Sequence, residues 1–302
     1  MTSRLPMTST RWVILGTGLP LALAAIAVST LAWVHGAVKA LANTNQVGYP
    51  VSLTAPLING RADVTTVNAG TRVTAGQGSR IRVRGYLSGS MARPIFGHQQ
   101  TPAGLILNPR CRAPVGDCSL SFTVTVPAGA PVRVRDSFGN LAAGPLRGTV
   151  ALSDISGDLA ASRLAGNLRL ADAYGNIQAS GLSGTIRVVN NSGDIDAAGV
   201  TGDVQLTDGF GNITVDGLAA GHVSCHTQSG DITLTFTKVP KLVDVSDSNG
   251  NITLRLPPGP ARYRVSTNNS YGNTSVTVPK SSTAAHVITA TNNSGDITIA
   301  NS

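Results

Sequence analysis

All fifteen acidic residues of this 302-residue chain are aspartates, and glutamate is absent. Many of them keep a fixed distance from a glycine. One column follows the glycine directly, as in Ser156-Gly157-Asp158 and Ser192-Gly193-Asp194. A second precedes it by three residues: Asp136, Asp154, Asp172, Asn190, Asp208 and, further on, Asp247. Stacked neighbours such as Asp154 and Asp172 would lie about 5 Å apart, the separation at which retaining glycosidases hold their two carboxyl groups. Repeated turn carboxylates also bind calcium in β-rolls, but the GGxGxDxUx signature is missing here, and a hard cation wants about 6–8 oxygens. The simpler role is capping of turn amides, and the spacing predicts that role for the second column. A catalytic site interrupts a repeat and gathers unlike residue types, whereas these acids recur along the whole segment. His222 and His226 are the one nearby histidine pair, and strand alternation turns both outward. No catalytic residue, metal site or cofactor is expected.

The elements that position these residues follow from the glycines. Gly139, Gly157, Gly175, Gly193, Gly211, Gly230, Gly250, Gly272 and Gly295 are spaced 18, 18, 18, 18, 19, 20, 22 and 23 residues apart. Halfway glycines (Gly148, Gly166, Gly184, Gly202 and Gly221) reduce the unit to nine residues. Apolar residues fall two and four places after each glycine, as in Ile177/Ala179 and Leu168/Leu170, giving short strands with alternating faces. Such strands bury their apolar side only by stacking in parallel. The fold class is all-β: a single-stranded parallel β-helix, or β-solenoid, with about 18–23 residues per turn. Cys225 takes the place of Leu206 and is predicted to point into the core.

The residue after each major glycine reads Asn140, Asp158, Asn176, Asp194, Asn212, Asp231, Asn251, Asn273, Asp296. With turns about 4.8 Å apart, adjacent carboxylates would repel, and alternation with Asn doubles their separation. The residue before the glycine alternates aromatic with serine over most of the run: Phe138, Ser156, Tyr174, Ser192, Phe210, Ser229. Both columns are predicted to be structural. After Gly295 the chain runs Asp296 to Ser302, so its last strand is expected to leave an uncapped turn. Ile297 and Ile299 would then template a homo-oligomer through that turn.

Trp12 to Val34 carries no charge over 23 residues and is long enough to span a bilayer. Arg4 and Arg11 precede it and only Lys39 follows closely. The expected organisation is therefore a cytoplasmic tail (1–11), a transmembrane anchor (12–34), a linker (35–45), an Arg-rich β lobe (46–135) and the repeat (136–302), with residues beyond the anchor extracytoplasmic at the cell membrane. A cleaved signal peptide ending near Ala40-Leu41-Ala42 is the competing reading. Cys111 and Cys118 bracket a Pro/Gly loop suited to a disulfide in an oxidising compartment.

Charge separates the lobe from the repeat. Residues 35–135 hold ten Arg and one Lys against two Asp, whereas 136–302 hold ten basic residues against thirteen Asp. Arg80, Arg82 and Arg84 alternate with apolar residues, as do Arg133 and Arg135, so each set shares one strand face. These faces are candidates for an anionic partner, lipid headgroups or a wall polymer. They would also serve as solvated strand faces that deter edge pairing. Nucleic acid is not expected, because no aromatics are interleaved for base stacking.

The order of a short tail, an apolar span, the lead-in Val124 to Arg135 and SGD/YGN-studded repeats resembles the bacterial putative-adhesin domain-of-unknown-function family, over about residues 46–302 and most closely from Ser121. The resemblance implies a β-repeat fold and an anchored, non-catalytic envelope scaffold or adhesin-like binding protein; no functional residues carry over. Two alternatives belong to other classes: a polysaccharide-active β-helix enzyme, and an accessory sensor of an envelope-stress complex acting through its membrane helix.

Overall fold

The computed structural model describes residues 47–89, 94–111 and 118–302. The predicted tail, anchor and linker lie outside the described residues. Among those described, no helix is long and apolar enough to cross a membrane.

Each repeat contributes one strand to each of two facing sheets. Leu164–Asp172, for example, lies in a 12-stranded sheet; the chain turns at Gly175 and continues as Ile177–Ser180 in a 13-stranded sheet. The next coil repeats the path one strand further on, parallel and in register, with Leu168 opposite Ile186 and Ile177 opposite Ile195. Alternation gives each strand an inner and an outer face. Leu141, Leu159, Ile177, Ile195, Ile213, Ile232, Ile252 and Ile297 form one fully buried row. Val134, Leu152, Leu170, Val188, Leu206, Cys225, Val245 and Ala290 form another opposite. Cys225 thus sits in the core as the pattern predicts, and burial pushes its thiol far above the usual range. Such a thiol is an inert packing group. The tight stacking explains the glycines. A Cβ on Gly157 would meet the Gly139 carbonyl oxygen at 2.2 Å, and φ there is +140°.

The stack begins before residue 136. Ala62–Thr66 pairs in parallel with Val132–Asp136, and Gly70–Gly76 pairs with both Leu141–Ala143 and Cys118–Pro127. The lobe therefore supplies coils of its own to the same two sheets. At the far edge the pairing turns antiparallel: Val47–Pro56 with Arg80–Gly89, and Arg80–Gly89 with Cys118–Pro127. Antiparallel strands cover this end of the solenoid, as terminal repeats must.

The opposite end departs from the expected order. Ile297–Asn301 does not lie at the edge: it is paired on one side with Ile252–Leu256 and on the other with Thr274–Val276. Likewise His286–Ser294 lies between Leu242–Asn249 and Tyr263–Tyr271. The outermost coil is 263–276, and the last coil in sequence is tucked beneath it. The physical reason is composition. Ile288, Ala290, Ile297 and Ile299 are fully buried and need cover on both sides, whereas Thr267, Asn268, Thr274 and Ser275 face water. Ile297 and Ile299 are therefore not the exposed template that the sequence suggested.

Candidate functional site

The two turn columns run along one edge of the solenoid, where the chain passes from the 12-stranded to the 13-stranded sheet. In the outer column each rung bonds to the next. The Asp158 amide donates to Asn140 Oδ1 at 3.1 Å, and Asn176 donates to Asp158 Oδ1 through both its backbone N–H (3.1 Å) and its side-chain amide (3.3 Å). The same pattern continues through Asp194, Asn212, Asp231 and Asn251. It then passes to Asp296 (2.9 Å) and from Asp296 to Asn273 (2.8 Å). The sequence has Asn251 and Asn273 in succession, an apparent break in the alternation. In space Asp296 stands between them, so Asn and Asp alternate over all the rungs.

The inner column is buried. Asp136, Asp154, Asp172 and Asp208 are at most 5% exposed. Asp136 and Asp154 cap turn amides as predicted: the Ser137 N–H donates to Asp136 Oδ1 at 2.8 Å and the Ile155 N–H to Asp154 Oδ1 at 2.7 Å, whereas no hydrogen bond of normal geometry reaches the buried carboxylates of Asp172 and Asp208. Burial pushes Asp136, Asp172 and Asp208 up to about 6, and the adjacent Asp154 carboxylate adds to the rise at Asp136 and Asp172. Asp154 and Asp247 also rise through burial. The Asn rungs of this column show why a charge fits poorly. Asn190 donates its amide to the carbonyls of Gly175 (3.0 Å) and Gly193 (2.7 Å), and Asn292 donates to Gly250 (2.7 Å). An ionised Asp facing such carbonyls has nothing to donate. Among the described residues no group of three or more His, Cys, Asp or Glu side chains is placed to hold a metal ion.

Next to these columns stands a third. Phe138, Tyr174, Phe210 and Tyr271 are 57%, 64%, 60% and 74% exposed. They precede the major glycines, whose amides tie the rungs together: Gly139 donates to Ser156 O, Gly175 to Ser192 O, Gly193 to Phe210 O and Gly295 to Tyr271 O. The sequence pattern found this column but gave no reason for its exposure. In spatial order it reads Phe138, Ser156, Tyr174, Ser192, Phe210, Ser229, Asn249, Ser294, Tyr271. Every second rung is aromatic except Asn249. Tyr271 falls on the beat only because the last two coils are exchanged.

The arginines divide between the two sheets. Arg80, Arg82 and Arg84 are exposed on the 13-stranded sheet, with Arg82 donating to the Gln77 carbonyl. Arg133 and Arg135 are exposed on the 12-stranded sheet. The two sets do not form one face. Arg72, which alternation in Gly70–Gly76 could have revealed, joins the first set: Thr123 lies opposite both Arg84 and Arg72. Cys111 is disulfide-bonded and Cys225 is free; residues 112–117 and the side chain of Cys118, the expected partner, lie outside the described residues. His222 and Asp203 pair at 2.9 Å on the outer face of the 12-stranded sheet, and His226 bonds Ser224 and Ser246.

A family model described as Toastrack DUF4097 matches residues 119–300, more than half of the chain. The chain belongs to the Toastrack family. The Toastrack match covers the coils with the three columns and begins after most of the Arg-rich lobe. Two solved structures are similar to this Toastrack protein. One is a putative cell adhesion protein from Clostridium sporogenes ATCC 15579, 9% identical, covering 84% of this chain and 100% of that chain with a TM-score of 0.21. The other is a putative adhesin from Parabacteroides distasonis ATCC 8503, 10% identical, covering 84% and 97% with a TM-score of 0.32. No curated protein matches the chain.

Proposed function

We propose that this Toastrack protein is a non-catalytic, adhesin-like binding protein and scaffold of the cell envelope, held in the membrane by residues 12–34 with its solenoid outside. The observation that carries this reading is the repetition of the same exposed residue types, rung after rung, along one edge of a rigid stack. An extended surface of this kind suits a long or repetitive partner. The acids that a glycosidase reading would use, Asp154 and Asp172, are buried and face turn amides. The row of Arg80, Arg82, Arg84 and Arg72 is proposed as a second contact, for anionic lipid or wall polymer.

The test is sedimentation of the full chain with purified cell-envelope fragments. Retention on the fragments with no release of new reducing ends is the expected result. Release of soluble sugars by the protein would make it an enzyme and contradict the reading.

A further inference from the structure

Phe138, Tyr174 and Phe210 stand on alternate rungs of one hydrogen-bonded column, more than half exposed, in a chain with only five Phe and five Tyr. Packing does not call for them there. Phe122, Phe236 and Tyr263 show that this fold buries rings readily when the core needs them. Exposed apolar groups that recur in a row mark a contact surface.

The spacing identifies the contact. Adjacent parallel strands lie about 4.8 Å apart, so rings on alternate rungs are about 9.6 Å apart. An extended β-1,4-linked glycan turns each sugar over relative to the last. It therefore presents the same C–H face once per disaccharide, a repeat within an ångström of the ring spacing. Ser156 and Ser192 on the intervening rungs are small and leave room for the sugars between.

Charge narrows the choice further. The nine turn segments around the major glycines, from Ser137–Asn140 to Asn293–Asp296, contain no Lys or Arg. The ladder beside the rings carries exposed Asp158, Asp231 and Asp296, whose Oδ1 atoms hold the neighbouring rungs while Oδ2 takes no part in the ladder. Such an edge repels polyanions and offers acceptors to hydroxyl groups. We propose that this column is a docking rail for a single uncharged, extended β-1,4-linked glycan chain, with alternate sugars stacked on Phe138, Tyr174 and Phe210. The proposal rests on the adhesin-like reading and gives it a ligand class.

The rail has a defined length. Three consecutive rings span five sugars, and the next aromatic position is Asn249. The full chain, in a sugar-free detergent, is titrated calorimetrically with cello-oligosaccharides of two to seven units and with maltohexaose, whose α-1,4 links curl the chain. Binding should strengthen about tenfold from trimer to pentamer as a further ring is engaged, then level off at the heptamer. Maltohexaose should not bind. Phe138→Ala, Tyr174→Ala and Phe210→Ala should each weaken pentamer binding several-fold without lowering the melting temperature, because the rings are exposed. Asn249→Tyr fills the missing rung and should extend the gain to the heptamer, which Asn249→Ala should not. A folded protein that ignores the pentamer at millimolar concentration overturns the proposal. So does binding that is indifferent to the rings, or a column that turns out to pair two copies of the chain. If cello-oligosaccharides fail while envelope fragments still retain the protein, only the glycan rail is lost; if both fail, the binding reading falls with it.

Discussion

The coils from Leu146 to Phe236 and those from Leu242 to Asn301 use the same repeat but stack by different rules. In the first region sequence order is spatial order: Leu159–Ser162, Ile177–Ser180 and Ile195–Ala198 are successive neighbours. In the second, the coil 286–301 sits inside the coil 263–276. Polar columns thus report position in space more faithfully than chain order does. The exchange gives the apolar coil two neighbours and leaves a Thr/Asn/Ser coil to meet water. It also restores the Asn–Asp alternation and the aromatic beat. In the 13-stranded sheet the edge strand is then only Thr274–Val276, whereas the 12-stranded sheet ends on the longer, polar Tyr263–Tyr271.

The largest effects should come from the buried isoleucine row. Ile213 lies in the regular region and Ile297 in the exchanged coil, and both are fully buried with neighbours on two sides. Ile213→Ala and Ile297→Ala should therefore cost alike, about 3–4 kcal/mol each by denaturant unfolding. A mild effect at Ile297 would mean that it lies at an open end, and the comparison would fail.

The regular region was legible in the sequence because its glycines, apolar pairs and Asn/Asp rungs keep one period. The signal of the exchange was also present, as Asn273 following Asn251. It reads as a lapse in a pattern until the apolar content of Ile288 to Ile299 is set against the polar run Thr267 to Ser275. The early coils were hidden for a different reason. In the coil Ala62–Gly76, Ala69 stands where later coils have the major glycine, since the Gly139 Cβ position faces the Ala69 carbonyl. The left-handed turn there falls to Asn68, at φ 59°. A search on glycine spacing passes over it. The ring column was visible as a pattern, but its exposure depends on how far the turn stands out from the sheets, which no local spacing encodes.

The lobe offers the next test, as a contrast in charge. The proposed anionic contact predicts that each of Arg80, Arg82 and Arg84 contributes about 1 kcal/mol to binding anionic vesicles at low salt. The full chain in neutral and anionic vesicles should differ in vesicle aggregation, and the difference should vanish with added salt or in the triple Gln variant. Equal behaviour of wild type and variant would leave these residues as a solvated face.

A smaller effect distinguishes the two regions by pH. Asp136, Asp172 and Asp208 titrate near 6 in the fold, against about 3.9 in an unfolded chain. The folded state binds their protons more tightly, so this contribution to stability is complete below about pH 4 and is lost as pH rises through about 6. The melting temperature should be higher at pH 5 than at pH 7.5. Asp154→Asn should add about 1 kcal/mol at pH 7.5, by ending repulsion of both neighbours, and should flatten the pH slope. The exchanged coils carry Asn292 and Asn269 in this column, so amide protection there, with the intrinsic pH dependence of exchange divided out, should vary less with pH than around Asp172. The smallest change belongs to Thr274→Ala on the exposed outer coil, within about 0.5 kcal/mol.

The ladder and the aromatic beat both depend on the spatial order of the last coils. Thr253 lies opposite Thr298, and Thr298 lies opposite Ser275. Cysteine pairs placed at these positions report the order directly, since a disulfide needs Cα atoms within about 7 Å and neighbouring strands are about 4.8 Å apart. The double variants Thr253→Cys/Thr298→Cys and Ser275→Cys/Thr298→Cys should both close on mild oxidation, and Thr253→Cys/Ser275→Cys, two strands apart, should stay reduced. Ready closure of the Thr253/Ser275 pair with none at Thr253/Thr298 would restore the sequential order and contradict the account.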